Sequence, residues 1–484
     1  MVFEAVRQAV PLAPRDAEFV FNDGPGHRSQ LMAVYFFDAA EAEPPSRARL
    51  LAWMADRLAT ADLFTRRLVR VPLAVGYPFW VHTTPDLERH VHTAAADRPG
   101  WAGVEEYLAP VLTREMDLTV PPWELHVLTG VADVDGLPAG TTVVALKIHH
   151  SAADGLAVRD ITLRLFGAGD GEQADAARTV GARPASAMTG TVPTVAVTAA
   201  LAARSLLGLP GALVRFRRGL QVTGAAGERV ARAEADGELA AIPGRANAPV
   251  NTPADDPASI RRVRLDRAGV RAVRAAVPGA TVNDVYLGVV GRALALHLEE
   301  VGEPDFGTLV ALVPRSVRGI LDWDSANMLE LLKIDTCSTV DAPLERVELI
   351  AAAAREAKVR ADHPDVRLLN TRIETSPAPL LALVGRVRRL NRRTPDGRRQ
   401  AHTMISNIPL VVAGCRFFGA PAVLGLGTQP PVDGDGARHF LTAAADGGFE
   451  IAVVSGANAI ADPDRYAERL TEVFGEMVAA AQPR

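Results

Sequence analysis

One stretch constrains this chain more than any other: residues 141–166, TTVVALKIHHSAADGLAVRDITLRLF. Its first eight residues are rich in β-branched and apolar side chains and predict a buried strand. Two histidines end that strand, three small residues follow, and Asp154 with Gly155 marks a turn. Leu156, Ile161, Leu163, Leu165 and Phe166 then form an apolar run that predicts a helix. Such a strand delivers two imidazoles to its C-terminal end, with a carboxylate four residues past the second.

Strand parity separates the two histidines. Val144, Leu146, Ile148 and His150 share one face; Val143, Ala145, Lys147 and His149 share the other. A metal held by both is therefore not expected. His150 and Asp154 have turn-sized spacing. A histidine at a strand end is a candidate general base, because its ordinary pKa lies near working pH. The plainer alternative makes His150 a core histidine and Asp154 a helix N-cap.

A length of 484 residues predicts two large domains. A hydrophobic fraction of 48 % supplies full cores and argues against disorder. A net charge of -5 gives no reason to expect a nucleic-acid partner. Cys337 and Cys415 each stand alone, and no C-x-x-C occurs, which argues against a disulfide framework or a zinc site. The first residues carry acids and a proline where a signal peptide needs an apolar run. Residues 184–203 are uncharged but full of Ser, Thr and Pro, a poor membrane span. The expectation is a cytoplasmic protein, soluble or attached peripherally to a lipid surface.

Along the chain, strands are expected at 32–37, 64–71, 77–82 and 125–129, and helices at 47–59 and 104–112. Pro14 and Asp16 suit a first helical turn. Residues 167–258 form a linker rich in Gly, Ala, Asp and Pro, with Phe216 its one aromatic residue. Helices at 196–207 and 211–220 are expected to break at Pro210. Arg215, Arg217 and Arg218 cluster there, so the helix can lie on an anionic membrane or bridge the domains with a solvated end. From 259 a second series begins. It has strands at 259–265, 308–313, 328–335, 402–408 and 449–455, and helices at 265–277, 281–301, 343–360 and 464–477. Thr281 caps the long one. Both halves read as mixed sheet plus helices, an α/β sandwich pair. Seven arginines at 386, 388, 389, 392, 393, 398 and 399 form a basic run. It suits a phosphate-bearing ligand, a lipid surface or a solvated face.

Six ordered blocks then give the chain a resemblance. HHSAADG at 149–155, LAPRDAEFVF at 12–21, PPWELHVL at 121–128, TVNDVYLG at 281–288, VPRSVR at 313–318 and SNIP at 406–409 are similar to blocks of bacterial wax ester synthases/diacylglycerol acyltransferases. That family lies within the coenzyme-A-dependent acyltransferase superfamily. SAN at 325–327 is similar to a further block. Departures stand at Pro122, Ala326 and Leu410, where the family tends to have leucine, glycine and glycine, and they bear on acceptor preference.

The resemblance implies two chloramphenicol-acetyltransferase-like domains, 1–166 and 259–484, with the site at their interface. A segment near 403–425 would cross to the N-terminal sheet. It implies transfer of a fatty acyl group from acyl-CoA, as co-substrate, to a long-chain alcohol or diacylglycerol. No metal or further cofactor is implied, and a membrane or lipid-droplet surface is a candidate partner. His150 would act as base, with His149, Asp154 and Gly155 completing the motif and Asp154 holding the loop through Arg315 or Arg318. Asn283, Ser406 and Asn407 are candidates for contact with the tetrahedral intermediate. A relative that esterifies a polyketide or other specialised alcohol from a carrier-protein thioester is the alternative. A non-catalytic lipid-binding protein is a third. No G-x-S-x-G elbow, Walker loop, H-E-x-x-H or Rossmann fingerprint competes.

Overall fold

A computed structural model describes residues 2–167, 194–242, 248–254, 257–303, 307–321, 323–391 and 401–482. Two six-stranded sheets form the frame. In the first, the strands run Arg416–Phe417, Ala420–Thr428, Gln30–Asp38, Thr141–His149, Trp123–Val131 and Val91–Ala95. In the second they run Leu329–Asp335, Val310–Ser316, Thr403–Asn407, Ala437–Ala443, Phe449–Gly456 and Ala258–Leu265. All nine residues of Thr141–His149 are buried, because neighbours pair on both edges and helices cover the faces. Each sheet carries its own large apolar cluster, built around Phe36 and Trp123 in one and Tyr286 and Val290 in the other.

The crossover differs from the expectation in where it lies. Thr403–Asn407 stays in the second sheet, between Val310–Ser316 and Ala437–Ala443. The strand that joins the first sheet is Ala420–Thr428, antiparallel to Gln30–Asp38. Glycine in this strand lets the segment before it pack close on its face: a Cβ on Gly427 would sit 2.3 Å from the Ile408 side chain. The expected strands at 64–71 and 77–82 are shorter, Arg66–Val69 and Phe79–His82. They pair with each other and with Val10–Pro11 in a separate three-stranded sheet.

The expected break at Pro210 is absent. Thr194–Ala235 is one helix of 42 residues, ~63 Å long at 1.5 Å per residue. Pro210 is exposed, so the Leu206 carbonyl it leaves without an N–H partner can turn to water. The inner face of this helix packs on the Val2–Gln8, Pro364–Asn370 and Arg372–Thr375 helices. Gly219 permits the closest approach, since a Cβ there would lie 2.2 Å from the Thr375 hydroxyl. The expectation for 184–203 falls outside the described residues up to 193.

Candidate active site

Asp154 caps the helix Gly155–Phe166, its carboxylate accepting from Ala157 N–H at 2.9 Å. The chain therefore turns sharply after the strand and leaves His150 at the seam of the two sheets. A cavity of about 570 Å³ opens there, lined by both halves: Phe19, Leu31 and His150 from one, Leu312, Met328 and Ser406 from the other. The His150 ring stacks on Phe19 with centroids 4.2 Å apart and planes 5° apart. Burial drops its pKa from the ordinary value to about 4, against the opposing pull of Asp154 and of a bond to Asn327. At neutral pH the imidazole is uncharged.

The tautomer follows from its partners. Asn327 Nδ2 donates to Asp16 Oδ1 at 2.7 Å and to the His150 carbonyl at 2.8 Å. Both are acceptors, so the amide nitrogen must face them and Oδ1 must face the ring. Oδ1 lies 2.7 Å from His150 Nδ1, which must therefore carry the proton. Nε2 is left with its lone pair and has no hydrogen-bond partner among the described residues. Asp16 accepts four bonds in all, from the Ser325 hydroxyl, the Ala326 and Asn327 N–H groups and the Asn327 amide. Burial raises its pKa, and these bonds work against that.

Asp154 holds the same segment from the other side. Its Oδ2 accepts from Met328 N–H at 2.9 Å, and its Oδ1 accepts from Arg318 at 2.8 Å. Arg318 also donates to the Ala326 carbonyl at 3.0 Å. Arg315 instead pairs with Glu330 and Asp362, at 2.7 and 2.5 Å. Two carboxylates from the N-terminal half thus clamp residues 325–328 of the C-terminal half, and Asn327 is the residue that reaches the ring. Gly155 is not needed for the turn: its φ lies outside the left-handed region, and a Cβ would meet Ile408 at an ordinary 3.7 Å. It lines the cavity, and its N–H has no acceptor among the described residues.

Of the remaining candidates, Ser406 and Asn407 line the cavity and Asn283 does not. Asn283 accepts a bond from Asn407 Nδ2 at 3.2 Å, at the start of a helix closed by a Thr281–Asp284 capping box. Leu410 is buried and lines the cavity. Arg388 lines the cavity and pairs with Glu18. Arg392, Arg393, Arg398 and Arg399 lie outside the described residues.

His149 faces the other way. It is fully buried, its Nδ1 is 2.8 Å from the Ser151 hydroxyl, and its Nε2 is 3.8 Å from Asp23. On the same face His92, Glu124 and His126 bring three donor atoms within 4.8 Å of one another. Glu124 already meets Arg114 at 2.9 Å and Lys147 at 3.7 Å, so the group reads as an ion network. Burial alone would raise Glu124, but the His126 bond and the charges of Lys147 and Arg114 bring it down to about 2. Cys337 and Cys415 lie away from the cavity, and burial pushes both thiols up to about 11, far from a reactive thiolate.

Sequence reasoning missed Asp16 and Asn327 as parts of the site. Asp16 read as a helix-start acid and the SAN block carried no role. Their signal was a pair of polar residues in blocks over 300 positions apart, which only the fold brings together.

A neutral histidine in an apolar cavity between two such sheets is suited to acyl transfer, and the comparisons make the chain an acyltransferase. The wax ester synthase/diacylglycerol acyltransferase catalytic-domain family matches residues 12–286, and the chain belongs to that family. It is 26 % identical over 447 residues to a putative diacylglycerol O-acyltransferase of Mycobacterium bovis, covering 88 % of this chain and 82 % of that one. It is 26 % identical over 392 residues to a probable diacylglycerol O-acyltransferase of Mycobacterium tuberculosis, covering 78 % and 76 %. The fold is similar to that of a wax ester synthase/diacylglycerol acyltransferase from Marinobacter aquaeolei VT8. That match has a TM-score of 0.63 at 19 % identity and covers 98 % of this chain and 100 % of that one.

Proposed function

We propose that the enzyme moves a fatty acyl group from acyl-CoA to the hydroxyl of a long-chain alcohol or diacylglycerol, giving wax ester or triacylglycerol. The observation that carries this is the free Nε2 of a neutral His150 at an apolar cavity. An aliphatic hydroxyl is too weak an acid to attack a thioester unaided. In this reading Nε2 takes its proton as the oxygen bonds to the thioester carbon. The carbonyl electrons move onto oxygen, and on collapse the C–S bond breaks. The proton passes to the departing thiolate, or the thiolate leaves as an anion and the proton goes to solvent.

Asp16 and Asn327 serve this step by holding the ring and its tautomer, and the Asp154 charge eases formation of the imidazolium. In this reading the Ser406 hydroxyl and the Gly155 N–H, both of which line the cavity, donate to the developing oxyanion. Asp154 and Arg318 keep the two halves in register. The test is a screen of purified protein with acyl-CoA donors and alcohols of graded length, with esters read by mass spectrometry. Ester from long-chain alcohol or diacylglycerol with free CoA released supports the reading. Turnover only with a carrier-bound donor, or none with any alcohol, refutes it.

A further inference from the structure

A second cavity, of about 850 Å³, lies away from His150. Its walls come from the small three-stranded sheet, the short helix Leu87–His90, residues 118–121 and the first turns of the long helix. No residue lines both cavities. Leu68 and Leu118, which line this one, belong to an apolar cluster that also takes in Ala152, just past His150. The two are neighbouring but separate spaces.

Strand parity sets the charge of this cavity. Arg66 and Arg67 are adjacent in Arg66–Val69 and point to opposite faces. Arg66 pairs with Asp62 at 3.3 Å and faces the Trp80 ring. Arg67 shares its face with Val69 and with Val81, its partner across the strands. These valines pack with Val197 of the long helix, and all four residues line the cavity. Burial holds the Arg67 pKa below the ordinary arginine value, and the guanidinium stays charged at neutral pH.

Arg70, just past the same strand, and Arg89, on the short helix, complete a set of three. Arg70 is exposed and has no ion-pair partner among the described residues. Arg89 meets Asp117 only at 3.5 Å, with both side chains at least half exposed. Asp117 is already engaged by the Thr119 N–H at 2.9 Å and the Thr119 hydroxyl at 2.6 Å. Asp86 is the one acid among the described residues of the wall, and it caps Leu87–His90 by accepting from Glu88 N–H at 3.2 Å. Three cations therefore share a concave space with one occupied carboxylate, an arrangement that concentrates anions.

Size and chemistry narrow the ligand. Small-molecule sites commonly enclose about 300–1,000 Å³, so a lone inorganic anion would leave most of this space unfilled. Leu118, Val120 and Pro121 give it an apolar wall, and Thr83, Thr84 and Thr198 add hydroxyls. Guanidinium forks and hydroxyls suit phosphate groups; an apolar wall suits a heterocyclic base. We propose that this cavity is a nucleotide site, its arginines on the phosphates and its apolar wall on the base. Two sources share that chemistry: the nucleotide end of acyl-CoA and a free nucleotide. The proposal goes beyond the acyl-transfer reading and does not depend on it. Either source would act close to the chemistry, since Pro121 lines the cavity and the Pro122 carbonyl accepts the His149 N–H at 3.1 Å.

The test is titration calorimetry of the full chain with adenosine 3′,5′-bisphosphate and with inorganic phosphate. The wild type is expected to bind the bisphosphate, and more tightly than phosphate. Combined Arg70→Gln and Arg89→Gln changes are expected to weaken that binding at least about tenfold. Both residues are exposed, so the thermal midpoint should stay at the wild-type value. Arg271→Gln, at an exposed position in the second half, should leave the affinity unchanged. Kinetics then separate the sources. If the donor's own nucleotide end occupies the site, the double variant raises KM for acyl-CoA at constant kcat and leaves turnover of acyl-pantetheine within about twofold of wild type. If a free nucleotide occupies it, KM for both donors is unchanged while the bisphosphate affinity is lost.

Wild type that does not bind the bisphosphate, or binds phosphate equally well, overturns the proposal. So does a double variant that binds as wild type does, or an Arg271→Gln variant that loses as much affinity, which would reduce the effect to net charge. Binding lost in the double variant with no acyl transfer in the wild type would refute the acyl-transfer reading alone.

Discussion

The two faces of the Thr141–His149 strand use the same residue types to opposite ends. Behind it, Lys147, Glu124, His126 and Arg114 engage one another or nearby backbone. In front, the next residue along, His150, has one ring nitrogen fixed and one open to the cavity. A buried polar group that is satisfied contributes stability and a fixed geometry. One held in place on a single side is ready to exchange a proton. The comparison assigns structure to the rear face and chemistry to the front.

The largest expected effect breaks the front face alone. His150→Ala should lower turnover by about 10²–10⁴-fold while the thermal midpoint stays near wild type, read by CoA release and calorimetry. The rear face should respond in the opposite way. Glu124→Gln leaves the Lys147 ammonium, which is fully buried, without its carboxylate. It should cost about 3 kcal/mol of stability in denaturant unfolding, with turnover per folded molecule nearly unchanged.

How far the sequence foretold these faces differs along the chain. The organising strand was legible because its β-branched run, its doubled histidine and its turn residues are all local. The mixed α/β class and the Thr281 cap were legible for the same reason. Ala437–Ala443 was not, since six of its seven residues are buried and alternation vanishes when both faces are covered. The Pro210 break was expected from propensity and fails because the helix is exposed on that side. Asp154 was read both as a cap and as a loop anchor, and its two oxygens serve both. The choice of Arg318 over Arg315, and the Asp16–Asn327 link, depend on contacts between the halves that no local pattern encodes.

That link gives the next prediction. Asn327→Ala keeps the base but frees its ring, so turnover should fall roughly ten- to a hundredfold, less than for His150→Ala. The smallest expected effect is in pH. Burial sets the His150 pKa at about 4, below that of the unfolded chain. The imidazole is therefore uncharged and competent above that value, and kcat/KM should stay flat as pH falls from about 7 to about 5. Stability moves the other way: the unfolded histidine takes up a proton near its ordinary value, so this contribution is present above about 6.5 and declines as pH falls towards 4. Urea titrations at a series of pH values would separate the two.

The central claim concerns one proton on one ring. With ¹⁵N-labelled histidine and His150 assigned by its Ala variant, nuclear magnetic resonance reads both ring nitrogens directly. The account predicts a protonated Nδ1 and an unprotonated Nε2, unchanged between about pH 7 and pH 5. A doubly protonated ring in that range, or a proton on Nε2 instead of Nδ1, would contradict it.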